Sequence, residues 1–337
     1  MDIYGLKSGA IIRHPEKGLI LGHGPFTEAA EVPAKQTAFY VNTFDLSDPK
    51  PWKIPSKVEI LDTATRELPP PPFIEWREPT PDAFAQVFTE IIEEISAGRL
   101  NKCVPATPQF GKLADAHSPL ELIQRAFNCS AHHYPYAWWD DKIGFCGATP
   151  EVLFHQQGNK LTTMALAGTA RPEDESVFIN DEKEIREHEI VVRSLISRLS
   201  PHGSLTRKPR SVLNLGTLIH FISPMILESD NELSPNDWLR ILHPTPALGP
   251  QPRTEKSLCM LADWRRRLRC PSHFGAPFGF QIDGQFLCLV GIRSMYWNHQ
   301  KIALCSGGGI VASSTLTQEW RELKLKRETI KRSFSLI

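Results

Sequence analysis

Apolar residues recur at helical spacing in three stretches of the chain, at residues 81–98, 182–199 and 315–334. In each stretch the apolar positions lie three or four residues apart with charged positions between them, a pattern typical of helices that pack one face on a core. Thr315 and Gln318 fit a capping box at the start of the last stretch. The pattern therefore predicts three long amphipathic helices.

Short runs rich in apolar, β-branched and aromatic residues lie around these helices and predict strands. They occupy residues 18–21, 38–41, 143–154, 160–166, 275–283, 286–294 and 301–306. Pro150 interrupts the run at 143–154, and gaps of hairpin length separate the last three runs. Because hairpins join antiparallel strands, the sequence predicts a mixed α/β (α+β) protein with substantially antiparallel sheets.

Four consecutive prolines at residues 69–72 interrupt this pattern. Such a run favours an extended polyproline segment, which is typical of a seam between two parts of a protein. We expect a peripheral N-terminal portion at residues 1–76 and the main body at residues 77–337.

The composition excludes several classes of function. The 337 residues include 38 Lys and Arg and 38 Asp and Glu, so no net charge attracts nucleic acid or an anionic membrane. No apolar run approaches the ~18 residues that span a bilayer, and the N-terminus has no signal-peptide pattern. The seven cysteines lack C-x-x-C spacing, which argues against disulfides or structural zinc. We expect a cytoplasmic protein with four reduced core cysteines, namely Cys103, Cys146, Cys288 and Cys305.

Common catalytic motifs are absent from the sequence. His188 and Glu189 begin an H-E-x-x-H zinc-protease pattern, but Val192 stands at the position of its second histidine. The triple glycine at 307–309 is followed by Ile310 rather than by the Lys-Ser/Thr of a P-loop, and no G-x-S-x-G elbow is present. These observations argue against the corresponding hydrolases and nucleotide-binding proteins.

Two distant acidic segments, 183–189 and 319–326, each lie in a predicted helix. A helix holds its carboxylates rigidly while its apolar face is anchored in the core. Carboxylates from two such helices offer the oxygen ligands that Mg²⁺ prefers, with positions left for water and an anionic substrate. The alternative is a pair of solvated helix faces.

Eight segments, spread over a region of roughly residues 83–334, resemble one enzyme family in their order and spacing. They are LNKCV (100–104), GATPE (147–151), ALAGTARP (165–172), KEIREHE (183–189), HPTPAL (243–248), IRS (292–294), GGGIV (307–311) and EWRELKLK (319–326). Together they resemble the chorismate-utilising enzymes: isochorismate, salicylate, anthranilate and aminodeoxychorismate synthases. The resemblance implies two large, mainly antiparallel sheets packed face to face with helices outside. Residues 77–337 would form the chorismate-binding catalytic domain, and residues 1–76 a shortened N-terminal portion of the same fold.

Three features resemble the isochorismate synthase branch, which feeds menaquinone or siderophore synthesis. Lys102 stands where anthranilate-forming members have glutamine. Residues 169–171 replace the Thr-Arg type sequence of many aminating members, and residues 243–248 closely resemble isochorismate synthases. The resemblance implies an isomerase that acts on chorismate and needs no glutaminase subunit, and we expect a monomer.

The resemblance also implies a general base and a general acid. Lys102 would take a proton from the water that adds at C2 of chorismate, and Glu151 would protonate the C4 hydroxyl as it leaves. A lysine needs burial or neighbouring cations to be partly neutral near pH 7, whereas the acid needs a carboxyl pKa raised by desolvation. The alternatives are an exposed surface lysine and a solvated turn glutamate.

The resemblance also implies a Mg²⁺ site. Glu187 and Glu322 would hold the ion, and Glu184 and Glu319, each three residues upstream on the same helical face, would contact its bound water. Lys326, one turn after Glu322, would orient that carboxylate or contact the substrate. A surface ion pair is the alternative for Lys326.

Further residues are implied to bind the substrate. Arg293 suits a bidentate contact with the enolpyruvyl carboxylate, with a structural ion pair as the alternative. Backbone amides of Gly168, Thr169 and Gly308 would approach the substrate closely where a Cβ would block it.

Two residues of the HPTPAL segment complete the implied site. His243 would orient the region of the leaving hydroxyl or a neighbouring loop, and the alternative is a core histidine with satisfied hydrogen bonds. Leu248 would help to select water over ammonia as the nucleophile.

The sequence departs from the family pattern after Lys102. The usual Lys-Val-Val-Leu-x-Arg strand is replaced at residues 102–107, where Pro105 implies an edge or a bulge and the arginine is missing. This departure supports one alternative to isochorismate synthase, a catalytically weak chorismate-binding protein. A second alternative is a salicylate synthase, which would share the same base, acid and metal ligands and would also eliminate pyruvate.

Overall fold

Nineteen strands form two sheets in this computed structural model, which describes residues 3–61, 68–129, 132–216 and 218–337. Strands and helices are numbered in chain order, and neighbouring strands pair antiparallel. The first sheet has the order β6 (Lys57–Leu61), β2 (Gly18–His23), β1 (Gly9–His14), β9 (Tyr134–Trp139), β10 (Ile143–Thr149), β18 (Ser294–Asn298), β19 (Lys301–Gly307), β8 (Ala106–Leu113) and β7 (Ile74–Trp76). The second has the order β13 (Gly203–Arg207), β15 (Ile219–Ser229), β12 (Lys160–Ala170), β11 (Val152–Gln157), β17 (Gln285–Val290), β16 (Pro277–Ile282), β4 (Ala38–Val41), β5 (Trp52–Ile54) and β3 (Thr27–Ala29), with β14 (Ser211–Asn214) also paired to β15.

The inner faces of the two sheets pack against each other through aromatic side chains. Tyr136 and Phe145 of the first sheet contact Phe278 of the second, with ring centroids 5.2 and 5.8 Å apart. All three residues are buried, and burying rings of this size is a major stabilising contribution to a core. The predicted fold of two antiparallel sheets packed face to face is confirmed.

Helices cover the outer faces of this sandwich. Within the described ranges they are α1 (Asp82–Ser96), α2 (Leu120–Phe127), α3 (Glu175–Phe178), α4 (Glu182–Leu199), α5 (Pro235–Leu242), α6 (Glu255–Arg267) and α7 (Leu316–Ser333). α4 packs on β12 and β15, α2 packs on β9 and β10, and α7 packs on β19. Each sheet therefore has helices on the side away from its partner.

The three predicted long helices are present as α1, α4 and α7. α4 has the predicted bounds, and Asp181 caps it by accepting hydrogen bonds from the backbone N–H groups of Lys183 and Glu184 at 2.9 and 3.1 Å. The capping-box prediction for α7 is wrong. The Thr315 hydroxyl donates to Oε1 of Gln318 at 2.9 Å and caps no backbone N–H, because the two side chains bind each other.

The predicted strand at 286–294 ends at Val290, and its last residue, Ser294, begins a strand of the other sheet. β17 lies in the second sheet and β18 in the first, so Arg293 lies in the connection, with a φ of +52°, rather than at the end of a strand. A Cβ at Gly291 would lie 2.7 Å from the carbonyl oxygen of Ala276, so the connection needs glycine there. Apolar runs lie on both sides of this connection, so the sequence pattern does not show that the chain changes sheets.

The expected N-terminal portion, which ends at residue 76, contributes strands to both sheets. β1, β2, β6 and β7 belong to the first sheet, and β3, β4 and β5 belong to the second. Ile11 and Phe39 from these strands are fully buried in core clusters shared with later parts of the chain. The prolines at 69–72 therefore do not separate a peripheral unit from the main core.

Two expectations about the class of protein can be compared with the described residues. None of their helices has the combined length and apolarity needed to cross a membrane. All seven cysteines lie in the described ranges and are free. The four cysteines expected in the core are fully buried, as predicted.

Candidate active site

The chain passes between the two sheets twice at neighbouring positions. It leaves β10 for β11 at residues 150–151, and it leaves β17 for β18 at residues 291–293. The Ala148 N–H donates to the Arg293 carbonyl at 3.3 Å, and the Val290 N–H donates to the Glu151 carbonyl at 3.0 Å. We call these two segments the sheet crossing. They place Glu151 and Arg293 side by side, because β10 pairs with β18 and β11 pairs with β17.

Glu151 is a buried carboxyl at the sheet crossing, with 5% of its surface exposed. Burial raises its pKa to about 7, although the Thr245 hydroxyl and the charges of Arg293 and Lys102 oppose the shift. The Thr245 hydroxyl completes no hydrogen bond with another described residue, so its effect is that of a nearby dipole. A carboxyl with this pKa can hold a proton at neutral pH and release it to a leaving group.

Lys102 lies just before β8 and is almost fully buried. Its backbone carbonyl accepts a hydrogen bond from the Gln251 N–H at 2.8 Å, and its side chain lies over Gly309, where a Cβ would be 2.8 Å from Cε. Its Nζ is 3.2 Å from Oε1 of Glu187. The lysine is therefore buried as expected, but its closest charged partner among the described residues is a carboxylate rather than a cation.

The Arg293 guanidinium lies between two histidines. Its Nη1 is 2.8 Å from Nε2 of His133, and its Nη2 is 3.0 Å from Nε2 of His220. Burial lowers the pKa of Arg293 to about 10, with Glu151 opposing. Burial, followed by the charge of Arg293, lowers the pKa of His133 to about 4 and that of His220 to about 3. Both imidazoles are therefore neutral near pH 7.

A bulge in β12 forms hydrogen bonds with His220 on one side and with Glu184 of α4 on the other. The pairing of β12 with β15 shifts register between residues 167 and 170, where Gly168 has a φ of +77°. The Gly168 carbonyl accepts a hydrogen bond from Nδ1 of His220 at 2.9 Å. The Thr169 N–H donates to Oε2 of Glu184 at 2.8 Å. This amide, predicted to approach the substrate, is thus bound to a helix carboxylate.

Four carboxylates on α4 and α7 form what we call the glutamate cluster: Glu184, Glu187, Glu319 and Glu322. Lys183 interacts with Glu184, Glu187 and Glu322, which shows that the two helix faces lie close together. Burial acts to raise the pKa of Glu187, but Lys102, followed by Lys326 and Lys183, lowers it overall. Nζ of Lys326 is 2.6 Å from Oε1 of Glu322 and donates to the Gly307 carbonyl at 3.1 Å.

The other two members of the cluster are more buried. Burial raises the pKa of Glu184 and of Glu319, and a neighbouring glutamate adds to each shift. Oε1 of Glu319 accepts a hydrogen bond from the Ser314 hydroxyl at 2.7 Å. Its Oε2 is buried, has no partner among the described residues, and would lie 3.2 Å from a Cβ at Gly308. The backbone N–H of Gly308 donates to the Pro105 carbonyl at 3.3 Å.

Comparison with known proteins places this arrangement in a family. Residues 49–335 match the family described as "Chorismate binding enzyme". The chain belongs to this family. The match covers the sheet crossing and both helices of the glutamate cluster.

Similar proteins of this chorismate-binding family include two curated isochorismate synthases. EntC of Escherichia coli K12 is 29% identical over 203 residues, which cover 56% of this chain and 51% of EntC. MenF of Haemophilus influenzae is 27% identical over 254 residues, which cover 70% of this chain and 57% of that protein. The chain thus matches little more than half the length of these relatives.

A solved structure shows the same fold. MenF from Escherichia coli, described as a menaquinone-specific isochorismate synthase, aligns with a TM-score of 0.83 over 98% of this chain and 90% of that chain, at 20% sequence identity. This likeness of fold extends over both sheets of the chain, including the strands up to residue 76.

The donor chemistry of the glutamate cluster fits a magnesium ion. All four side chains offer carboxylate oxygens, and the buried Oε2 of Glu319 lacks a partner among the described residues. The described residues contain no preassembled group of three His, Cys, Asp or Glu ligands. Mg²⁺ is commonly held by one or two carboxylates together with waters and substrate oxygens, so such a group is not required.

His243 and Leu248 lie in the core of the protein. His243 is buried, its Nε2 is 2.6 Å from the Phe44 carbonyl oxygen, and its ring meets the Phe44 ring edge-on at 5.0 Å. Burial lowers its pKa to about 3. These contacts are those of a core histidine. Leu248 is also buried, and its Cδ1 would lie 3.0 Å from a Cβ at Gly275.

Sequence reasoning missed three residues that the structure brings to the sheet crossing, namely His133, His220 and Thr245. The two histidines lie outside the segments that carry the family resemblance. Thr245 lies inside the HPTPAL segment, so its motif membership could have pointed to it. No local pattern singles out His133 or His220, because only the pairing of distant strands brings them to Arg293.

Proposed function

We propose that this protein converts chorismate to isochorismate in a Mg²⁺-dependent reaction. The observation that carries the proposal is the buried carboxyl of Glu151, with a pKa of about 7, within range of the charges of Lys102 and Arg293. A proton donor, a lysine and a fixed guanidinium in one buried region suit a dianionic substrate that exchanges one hydroxyl for another. Membership of the chorismate-binding family and the isochorismate synthase relatives support this choice of substrate and product.

The proton transfers are assigned to two residues. Lys102 accepts a proton from the water that attacks C2 of the ring. Glu151 donates its proton to the C4 hydroxyl, which leaves as water while the ring double bonds shift. One water enters and one leaves, so the mass of the product equals that of the substrate. Burial suits Glu151 for this step, since an exposed glutamate would be ionised at neutral pH.

Substrate binding is assigned to the cations that line the site. Arg293 binds the enolpyruvyl carboxylate through the donors that face away from its histidine partners, and Lys326 contacts the substrate near the glutamate cluster. Glu187 and Glu322 would hold Mg²⁺, with Glu184 and Glu319 supporting its bound water. When bound, the ion would neutralise the ring carboxylate of chorismate and orient the ring.

The direct test is incubation of the purified protein with chorismate and Mg²⁺, with and without EDTA, followed by chromatography and mass detection. We expect a Mg²⁺-dependent product of unchanged mass from the wild type and almost none from Lys102→Ala. Glu182→Gln, an exposed change in the first turn of α4, serves as the control.

Other outcomes would replace the proposal. Salicylate together with pyruvate would identify a salicylate synthase. Saturable chorismate binding without any product would identify a binding protein that has lost catalysis. Full activity in Lys102→Ala would remove the lysine from the role of base.

A further inference from the structure

The two histidines on Arg293 come from separate parts of the fold. His133 lies just before β9 of the first sheet, and His220 lies on β15 of the second sheet. Arg293 lies between the sheets, in the connection from β17 to β18, and its guanidinium reaches both Nε2 atoms within 3.0 Å. The guanidinium is therefore held from both sides of the sandwich.

The protonation of the two rings follows from the chemistry of arginine. A guanidinium has five N–H donors, accepts no hydrogen bond and keeps its charge in proteins. Both Nε2 atoms must therefore be unprotonated acceptors, and each neutral ring carries its proton on Nδ1. For His220 this proton is donated to the Gly168 carbonyl, so the backbone bulge selects the tautomer that Arg293 requires.

The contacts with the two histidines determine which N–H donors of Arg293 remain for an anion and whether its guanidinium reaches Glu151. They engage two of its five N–H donors and leave three for an anion. Glu151 is the carboxyl whose charge acts on Arg293. A guanidinium released from its histidines would turn toward Glu151 and compete for the carboxyl that must carry a proton.

We propose that His133 and His220 are positioning residues that keep the Arg293 guanidinium directed at a carboxylate of the substrate and away from Glu151. The identity of that carboxylate rests on the proposed function. The histidines themselves neither touch the reacting atoms nor transfer a proton.

A pair of substitutions at His220 separates its two hydrogen bonds. Asparagine places its amide near the position of Nδ1, so His220→Asn keeps a partner for Gly168 and loses the acceptor for Arg293. Glutamine reaches the position of Nε2, so His220→Gln restores an acceptor for Arg293. His299→Asn, an exposed change in the turn after β18, is the matched control.

We expect KM for chorismate to rise about tenfold in His220→Asn, the effect of losing one hydrogen bond to a charged group, with kcat changed much less. His220→Gln should recover most of that loss, and His299→Asn should match the wild type. Equal KM values for the Asn and Gln variants, with both folded by circular dichroism, would overturn the proposal.

A double-mutant cycle tests whether His220 acts through Arg293. In an Arg293→Ala background, His220→Asn should raise KM no further. Independent, multiplicative effects of the two changes would contradict a positioning role.

Nitrogen NMR of the histidine rings gives a readout that does not depend on chorismate. In the ligand-free protein, Nε2 of His133 and of His220 should show the shift of an unprotonated, hydrogen-bonded nitrogen, and Arg293→Ala should move both signals. A protonated Nε2 on either ring would refute the inference. A wild type with these signals and no chorismate binding would instead refute the proposed function alone.

Discussion

Glu151 at the sheet crossing and Glu187 in the glutamate cluster show pKa shifts in opposite directions. At the sheet crossing, Glu151 is 5% exposed and burial raises its pKa to about 7. In the glutamate cluster, the side chain of Glu187 is 39% exposed, and although burial also acts to raise its pKa, the nearby lysines lower it overall. The same side chain therefore favours the protonated form in one region and the ionised form in the other.

The two pKa shifts differ because the nearby cations have different hydrogen-bond partners. The guanidinium of Arg293 donates to two neutral histidines, so it weakens the effect of burial on Glu151 without forming an ion pair. In the cluster, Nζ of Lys102 lies 3.2 Å from the Glu187 carboxylate. A carboxyl without a paired cation is suited to carry a proton, whereas an ionised carboxylate such as that of Glu187 is suited to attract a metal cation.

The largest effect expected from this comparison is that of Glu151→Gln. The amide keeps the shape of the side chain but cannot donate an acidic proton, so kcat should fall by about 10²- to 10⁴-fold. Steady-state kinetics with chorismate measures this, and circular dichroism checks the fold. Retention of more than about a tenth of the wild-type kcat would show that Glu151 is not the acid.

Glu151 should also make stability depend on pH. Its folded-state pKa of about 7 lies above the ordinary value of 4.5. Its contribution to stability is therefore complete below about pH 4.5 and is lost as the pH rises through about 7. At pH 8, Glu151→Gln should be more stable than the wild type by up to about 3 kcal/mol, and the gap should close toward pH 4.

Urea unfolding of both proteins between pH 4 and pH 8 measures this gap. A gap that did not change with pH would mean that the carboxyl is solvated or paired, and the contrast with the glutamate cluster would disappear.

The two regions also differ in how much of them the sequence predicts. α4 has the predicted bounds because its signals are local, namely a repeating apolar stripe and a cap at Asp181. The glutamate cluster follows from two such helices and their acidic motifs. The sheet crossing depends on strand pairing between residues that are far apart in the chain, such as Cys146 with Met295 and Val152 with Leu289.

The sequence predictions that failed at the sheet crossing failed because they could not include this long-range pairing. The run at 286–294 is apolar from Phe286 to Val290 and again at Ile292, so its composition does not indicate that it changes sheets before Arg293. His220 lies on a strand that pairs with β12, and only the register on either side of Gly168 brings the ring to Arg293. Long-range register, rather than composition or periodicity, decides these contacts.

A smaller effect is expected from Glu187→Gln. It removes one ionised carboxylate from the glutamate cluster, so the Mg²⁺ concentration needed for half-maximal activity should rise about tenfold or more. Calorimetric titration of the protein with Mg²⁺ in the presence and absence of chorismate would detect the same loss without turnover. An unchanged Mg²⁺ requirement, with Glu182→Gln as the control on the same helix, would mean that Glu187 serves only as the partner of Lys102.

The smallest effect is expected from Lys326→Met, measured as stability in urea. Its ion pair with Glu322 is short, but the two side chains are 34% and 48% exposed, and pairs in such positions contribute at most about 1 kcal/mol. The variant should therefore unfold close to the wild type while its KM for chorismate rises. Nζ of Lys326 also donates to the Gly307 carbonyl at the end of β19. If the free energy of unfolding fell by more than about 2 kcal/mol, Lys326 would be a structural link between α7 and β19. Only a small loss is consistent with a cluster whose charges serve ligands rather than the fold.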